Sequence, residues 1–285
     1  MLLGACASTV DDSDGADAVG ASAATTAADT TAIVTSAGGD ADSRVVAVTD
    51  GDTVDVVVGG REDTVRLIGI NSPESGECFA DEAASALVDL VDGVAVRLVP
   101  DVTDRDQYDR LLRYLYVGDT FVNEALVRGG FAQAYRYEPD VAEADRLDAA
   151  QAAAERDQVG LWAPDACGRE VPGAGALAID RIEADPPGDD TDDPNAEFVV
   201  VRNGGSDTLD LGGWGLKDLT ATHRFDFPAG FVLAPGAAVT IHTGCGNATA
   251  TDLFWCNQGS AVWNNDGDTA FLLDPNGNVV DTLTY

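Results

Sequence analysis

Four short segments carry the side chains that could do chemistry in the first 170 residues. Asp50-Gly51-Asp52-Thr53 places oxygen donors at a bend, where glycine permits a sharp turn. Asn71-Ser72-Pro73-Glu74 sets an amide, a main-chain carbonyl and a carboxylate at what reads as a strand end. Arg66 lies five residues before Asn71 in the same run. Asp106, Tyr108 and Arg110 alternate, so an extended segment projects all three to one side. Both histidines, His223 and His242, lie beyond this half, so no Ser-His or Cys-His nucleophile can be assembled within it. Carboxylate, amide and guanidinium groups are what remain.

The surrounding pattern must position them. Strands are predicted at 45–48, 54–58, 64–70, 94–99 and 111–117. Gly59-Gly60 reads as a hairpin turn, and Asn71-Ser72-Pro73 stops the third strand. Helices are predicted at 81–91, 122–128 and 141–157, with Gly129-Gly130 ending the second and Gly160-Leu161-Trp162 closing the unit. Five strands with interposed helices predict a small barrel of the OB type. A boundary lies near Gly168–Gly175, and beyond it short strands alternate with Gly, Pro, Asn and Asp turns. That pattern predicts an antiparallel β-sandwich. The chain therefore reads as mainly β in two domains, 44–169 and 170–285.

Charge narrows the function. Of 285 residues, 50 are acidic and 16 basic, a net charge of −34, which excludes a polybasic nucleic-acid binder. No apolar run approaches the roughly 20 residues that span a bilayer. Residues 7–43 carry seven acids and no aromatic, Lys or Arg, and read as a disordered acidic Ala/Thr/Asp spacer. Of five cysteines, Cys6 follows Leu2-Leu3-Gly4-Ala5, which resembles the cleavage box of bacterial lipoproteins, shortened here to a remnant of the signal. Cys6 is thus the expected lipidation site and membrane anchor. Cys78 and Cys167 fall in one half, Cys245 and Cys256 in the other, without zinc-ligand spacing. Disulfides in an oxidising compartment fit this best, with buried free thiols as the alternative.

The motifs of the first half, taken in order, resemble the thermonuclease (staphylococcal-nuclease-like) family over about residues 44–165. They are DGDT at 50–53, RLxGIxxPE at 66–74, DxYxR at 106–110, VNEALVRxG at 122–130, AYxY at 134–137 and GLW at 160–162. The resemblance implies a calcium-dependent hydrolase of phosphodiester bonds in DNA and RNA. It implies Asp52, Asn71 and the Ser72 carbonyl as calcium ligands, Asn71 standing where the family usually has aspartate. It implies Arg66 and Arg110 as the arginines that grip the phosphate, and Glu74 as the carboxylate that activates water. Tyr108, Tyr135 and Tyr137 would line the phosphate and base pocket. Two departures stand out. Asn71 removes a negative charge from the metal site, and Asp109 replaces a glycine where φ > 0 would be resisted.

The second half resembles the lamin-tail domain, an immunoglobulin-like sandwich, over about 176–285. The residues are Glu197-Phe198-Val199 before Asn203, Leu211-Gly212-Gly213-Trp214, Phe225 to Pro228, Pro235-Gly236, and Val262-Trp263-Asn264-Asn265 with Gly267-Asp268. The resemblance implies an accessory or targeting role; its ligand is unspecified. Trp214 and Trp263 are expected in the core, and both histidines in structural roles. Together these readings describe an exported, monomeric cell-surface lipoprotein with nuclease activity. The alternative is a non-enzymatic surface-binding protein with a metal-impaired nuclease fold.

Overall fold

Alternating valines build the first sheet. β1 (Ser43–Val48) leads through the Asp50-Gly51 bend into β2 (Thr53–Val58), which turns at Gly59-Gly60, both at positive φ, into β3 (Arg61–Leu67). Val54, Val56, Val65 and Leu67 face inward and are buried. The computed structural model describes residues 43–187, 193–220, 223–257, 261–265 and 267–285. The lipidation reading of Cys6 and the spacer reading lie outside them, except that Ser43 is buried and opens β1.

The expected third strand over 64–70 is interrupted. It ends at Leu67, turns at Ile68-Gly69 and resumes as β4 (Ile70–Asn71). Gly69 sits at φ +76, and a Cβ there would collide with Leu147 Cδ1, so the turn requires glycine. There follow α1 (Ala80–Val91), β5 (Ala95–Val99), β6 (Leu111–Val117) and β7 (Thr120–Phe121). The domain is completed by α2 (Val122–Arg128), β8 (Gln133–Ala134), α3 (Ala144–Asp157) and a 3-10 turn at Gly160–Trp162. The third helix was expected from residue 141. It starts at Ala144 because the preceding turn is pinned by Asp140, whose Oδ1 accepts the Val102 and Thr103 N–H groups at 3.0 and 2.7 Å.

The strand order is β3-β2-β1-β5-β6-β7, and a parallel β3–β6 pairing closes the five strands β1, β2, β3, β5 and β6 into a barrel. Leu87, Leu126 and Leu147 plug it from the three helices. Asn123, fully buried, ties the helical side to the Ile68-Gly69 turn. Its Oδ1 accepts the Leu115 N–H at 3.0 Å and its Nδ2 donates to the Ile68 carbonyl at 2.8 Å.

The C-terminal strands are β9 (Leu177–Glu183), β10 (Phe198–Asn203), β11 (Leu209–Asp210), β12 (Gly215–Lys217) and β13 (Arg224–Asp226). They continue as β14 (Val232–Leu233), β15 (Ala238–His242), β16 (Asp252–Phe254), β17 (Thr269–Leu273) and β18 (Val279–Thr284). Two four-stranded sheets, β16-β15-β10-β9 and β13-β12-β17-β18, enclose Trp214 and Trp263, each 1% exposed, as expected. One pairing departs from the antiparallel expectation: β15 and β16 run parallel. His242 Nδ1 lies 2.7 Å from the Asn195 carbonyl, a structural contact.

Both expected disulfides form, Cys78–Cys167 and Cys245–Cys256. The first ties the loop after β4 to the inter-domain connection. The two domains also share a core, in which Ala154, Leu161 and Trp162 pack with Leu219, Phe271 and Leu273. Asn123→Ala would leave a buried N–H and a buried carbonyl unpaired, at about 1–3 kcal/mol each. The expected outcome is a lower urea midpoint with an unchanged m-value.

Candidate active site

The β1–β2 bend carries Asp52 into the protein. Asp50 Oδ1 accepts the Asp52 N–H at 3.0 Å and shapes the bend. A Cβ on Gly51 would lie 2.7 Å from the Cβ atoms of Ala83 and Ser72, so only glycine lets the bend pack this closely. Asp52 is buried. Its Oδ1 meets Arg66 Nε at 3.0 Å and the Thr53 hydroxyl at 3.1 Å, and its Oδ2 accepts the Ser72 N–H at 2.7 Å. Burial pushes the Asp52 carboxyl above its usual range; Arg66 opposes this and Asp50 adds to it.

Arg66, near the end of β3, is the hub. Its Nη1 donates to the Leu67 and Ile70 carbonyls at 2.7 and 2.8 Å, gripping both sides of the Ile68-Gly69 turn. Its Nη2 donates to Asn71 Oδ1 at 3.1 Å. Among the described residues, one Nη2 hydrogen is left for a ligand. Asn71 in turn donates through Nδ2 to the Leu219 carbonyl of the C-terminal domain at 2.8 Å.

Asp52, Arg66, Asn71 and Ser72 are thus one bonded group. Glu74 stands beside it, exposed, on the loop after β4, and its N–H donates to Glu77 Oε2 at 3.0 Å. Arg110 and Tyr108 form a second group. Arg110 Nε donates to Asp106 Oδ2 at 2.7 Å, and its guanidinium carbon lies 5.4 Å from the Tyr108 ring centre. The parallel register that sets Leu112 opposite Arg66 brings this loop to the same barrel edge. Tyr108 and Tyr137 are 71% and 63% exposed. Tyr135 is half-buried, 5.9 Å from the Tyr137 ring and packed on the inter-domain core. Sequence reasoning missed Lys217 and Leu219. The chain's only lysine, Lys217, pairs with Glu77 at 2.9 and 3.2 Å; its rarity was the one available signal.

Comparison with known proteins gives the family of each half. The family profile described as staphylococcal nuclease homologue matches residues 64–164, and that of the Lamin Tail Domain matches 170–285. Endonuclease YncB of Bacillus subtilis (strain 168) is 35% identical over 121 residues, 40% of this chain and 57% of that protein. The thermonuclease of Staphylococcus hyicus is 30% identical over 125 residues, 42% of this chain and 74% of the relative. The chain belongs to the staphylococcal nuclease family. The micrococcal nuclease of Shigella flexneri is a further relative, 35% identical over 128 residues, 42% of this chain and 72% of its own length. The nuclease profile ends at residue 164 and the lamin-tail profile begins at 170.

Donor chemistry decides how a calcium ion would suit this nuclease site. The Asp52 carboxylate and the Ser72 main-chain carbonyl are hard oxygen donors and fit. Asn71, expected as a third ligand, has an amide oxygen that accepts one bond from Arg66 and keeps a second lone pair, while its nitrogen donates to Leu219. Among the described residues no three His, Cys, Asp or Glu side chains assemble a cage, so any cation would rely on main-chain oxygen and water for most of its shell.

Asp109 does adopt the left-handed conformation, at φ +65, with its carbonyl accepting from Arg105 Nη1 at 2.6 Å. Asp109→Gly should therefore raise stability by about 1 kcal/mol, read by thermal unfolding. In the tail domain, burial pushes the Asp268 carboxyl up to about 6 against the Thr269 and Asn264 N–H groups, with Asp218 adding to the rise. The folded state then holds this proton more tightly than the unfolded chain. Stability from Asp268 is present below pH about 4 and lost as pH rises to about 6, by up to about 3 kcal/mol. A carbon-detected NMR titration should show this carboxyl with a midpoint near 6.

Proposed function

We propose that this protein is an exported, calcium-dependent endonuclease that hydrolyses phosphodiester bonds in DNA and RNA. The observation that carries the reading is the bonded group of Asp52, Arg66 and Ser72 with Glu74 on the adjoining loop, in a chain whose relatives are named nucleases. Among the described residues, Arg110, anchored through Nε to Asp106, keeps both Nη groups for a phosphate, and Arg66 offers one N–H more. These donors would oppose the charge that builds on phosphorus oxygens in the transition state. Glu74, exposed on its loop, would take the proton of the attacking water. Tyr108 and Tyr137 would line the nucleotide. Bound by Asp52 and Ser72, calcium would polarise a phosphoryl oxygen and offset local negative charge.

The two disulfides support an oxidising compartment, and Cys6 supports a lipid anchor at the cell surface. The tail domain would be an accessory or targeting module, and the chain a monomer. Over 44–169 there are 25 acids and 12 arginines, so long-range repulsion of a polyanion is screened only by salt. A second reading, a surface-binding protein with an impaired metal site, is favoured by one observation, the Asn71 oxygen turned onto Arg66.

The test is hydrolysis of single-stranded DNA by the full chain, with calcium or chelator, across a salt series. Calcium-dependent cleavage should rise with salt before it falls, and Glu74→Gln should lose about 10²–10⁴-fold in rate. Absence of cleavage at every calcium and salt level would leave the surface-binding reading standing.

A further inference from the structure

Asn71 sits between a donor and an acceptor. Its oxygen receives Arg66 Nη2 at 3.1 Å, and its nitrogen donates to the Leu219 carbonyl at 2.8 Å. Only an amide satisfies both neighbours. A carboxylate would accept from Arg66 equally well but would set a second lone pair against the Leu219 carbonyl, at the cost of an unmade buried hydrogen bond and a like-charge contact. The asparagine thus matches the docked tail domain.

Asp218, next to Leu219, is itself held by several partners. Asp218, 1% exposed, accepts the Thr220 N–H and hydroxyl through Oδ1 at 2.7 and 2.8 Å and meets His223 Nδ1 through Oδ2 at 2.7 Å. Leu219 is buried in the inter-domain core beside Leu161 and Trp162. One residue from Asp218, Lys217 clasps Glu77 on the very loop that carries Ser72 and Glu74. Burial alone would raise the Glu77 carboxyl; the Lys217 ammonium and the Glu74 N–H outweigh it and hold it below the usual range. The Cys78–Cys167 bridge fixes the far end of that loop, and Gly277 of the tail approaches so closely that a Cβ would lie 3.3 Å from the Cys78 Cβ.

We propose that the tail domain completes the nuclease site: the Leu219 carbonyl fixes Asn71, Asn71 fixes the free end of the Arg66 guanidinium, and Lys217 steadies the Glu74 loop through Glu77. Lys217, Leu219 and Asn71 are then positioning residues for phosphodiester hydrolysis. The inference rests on the nuclease reading for its chemical part, while the docking contacts stand independently.

The experiment uses the full chain throughout. Lys217→Met should lower kcat on single-stranded DNA about tenfold while KM moves less than twofold, and Lys217→Arg should restore it. Without calcium, hydrogen exchange across 71–78 and 217–220 should speed up at least tenfold in both Lys217→Met and Asn71→Asp. Unchanged exchange in both variants would overturn the coupling. Faster exchange with unchanged kcat would show docking without positioning, and would equally overturn it. If the wild-type chain cleaves nothing, the nuclease reading has failed, and the exchange arms still decide whether Asn71 joins the domains.

Discussion

A carboxylate removed from water must be met by donors, and the nuclease half is arranged around that requirement at Asp52. Its two oxygens draw in Arg66 from β3 and the Ser72 N–H from beyond β4. Two other stretches of chain thus converge on the bend that holds Asp52. Removing one partner of such a pair costs about 3–5 kcal/mol, because the other is left charged and buried. The same geometry also limits the chemistry. Arg66 is so committed to main-chain carbonyls and Asp52 that little of its guanidinium is free, whereas Arg110, among the described residues, is held at one side-chain nitrogen.

The tail domain extends that arrangement rather than standing apart from it. A shared apolar core, an ion pair, an amide bridge and a disulfide all meet on the short loop 71–79. Such a boundary is unlike the polar, loosely touching interface usual between domains of one chain. The loop that carries Glu74 is thereby anchored from both sides, with Glu74 itself left exposed.

Much of this was legible in the sequence, for identifiable reasons. The Asp50-Gly51-Asp52 bend, the Gly59-Gly60 turn and the valine alternation are local signals, and the structure follows them. The break at Ile68-Gly69 was missed because Ile and Leu continue the strand pattern across it; groups that meet the turn, Asn123 of α2 and Leu147 of α3, come from distant parts of the chain. The late start of α3 was missed for a similar reason, since Asp140 is held by N–H groups 37 and 38 residues away. Asn71 could be read as a weakened metal ligand but not as a docking residue, because its partner lies 148 residues on. The parallel β15–β16 pairing had no local signature at all.

The lone lysine of this chain gives the molecule an unusual property. Fifteen arginines carry every other basic charge, so Lys217 holds the only side-chain primary amine, and that amine is clamped against Glu77 at the domain seam. Reagents that acylate amines therefore see, apart from the chain terminus, a single target whose accessibility depends on whether the two halves are closed together. The protein carries a built-in chemical reporter of its own inter-domain contact, with no cysteine or dye to be introduced.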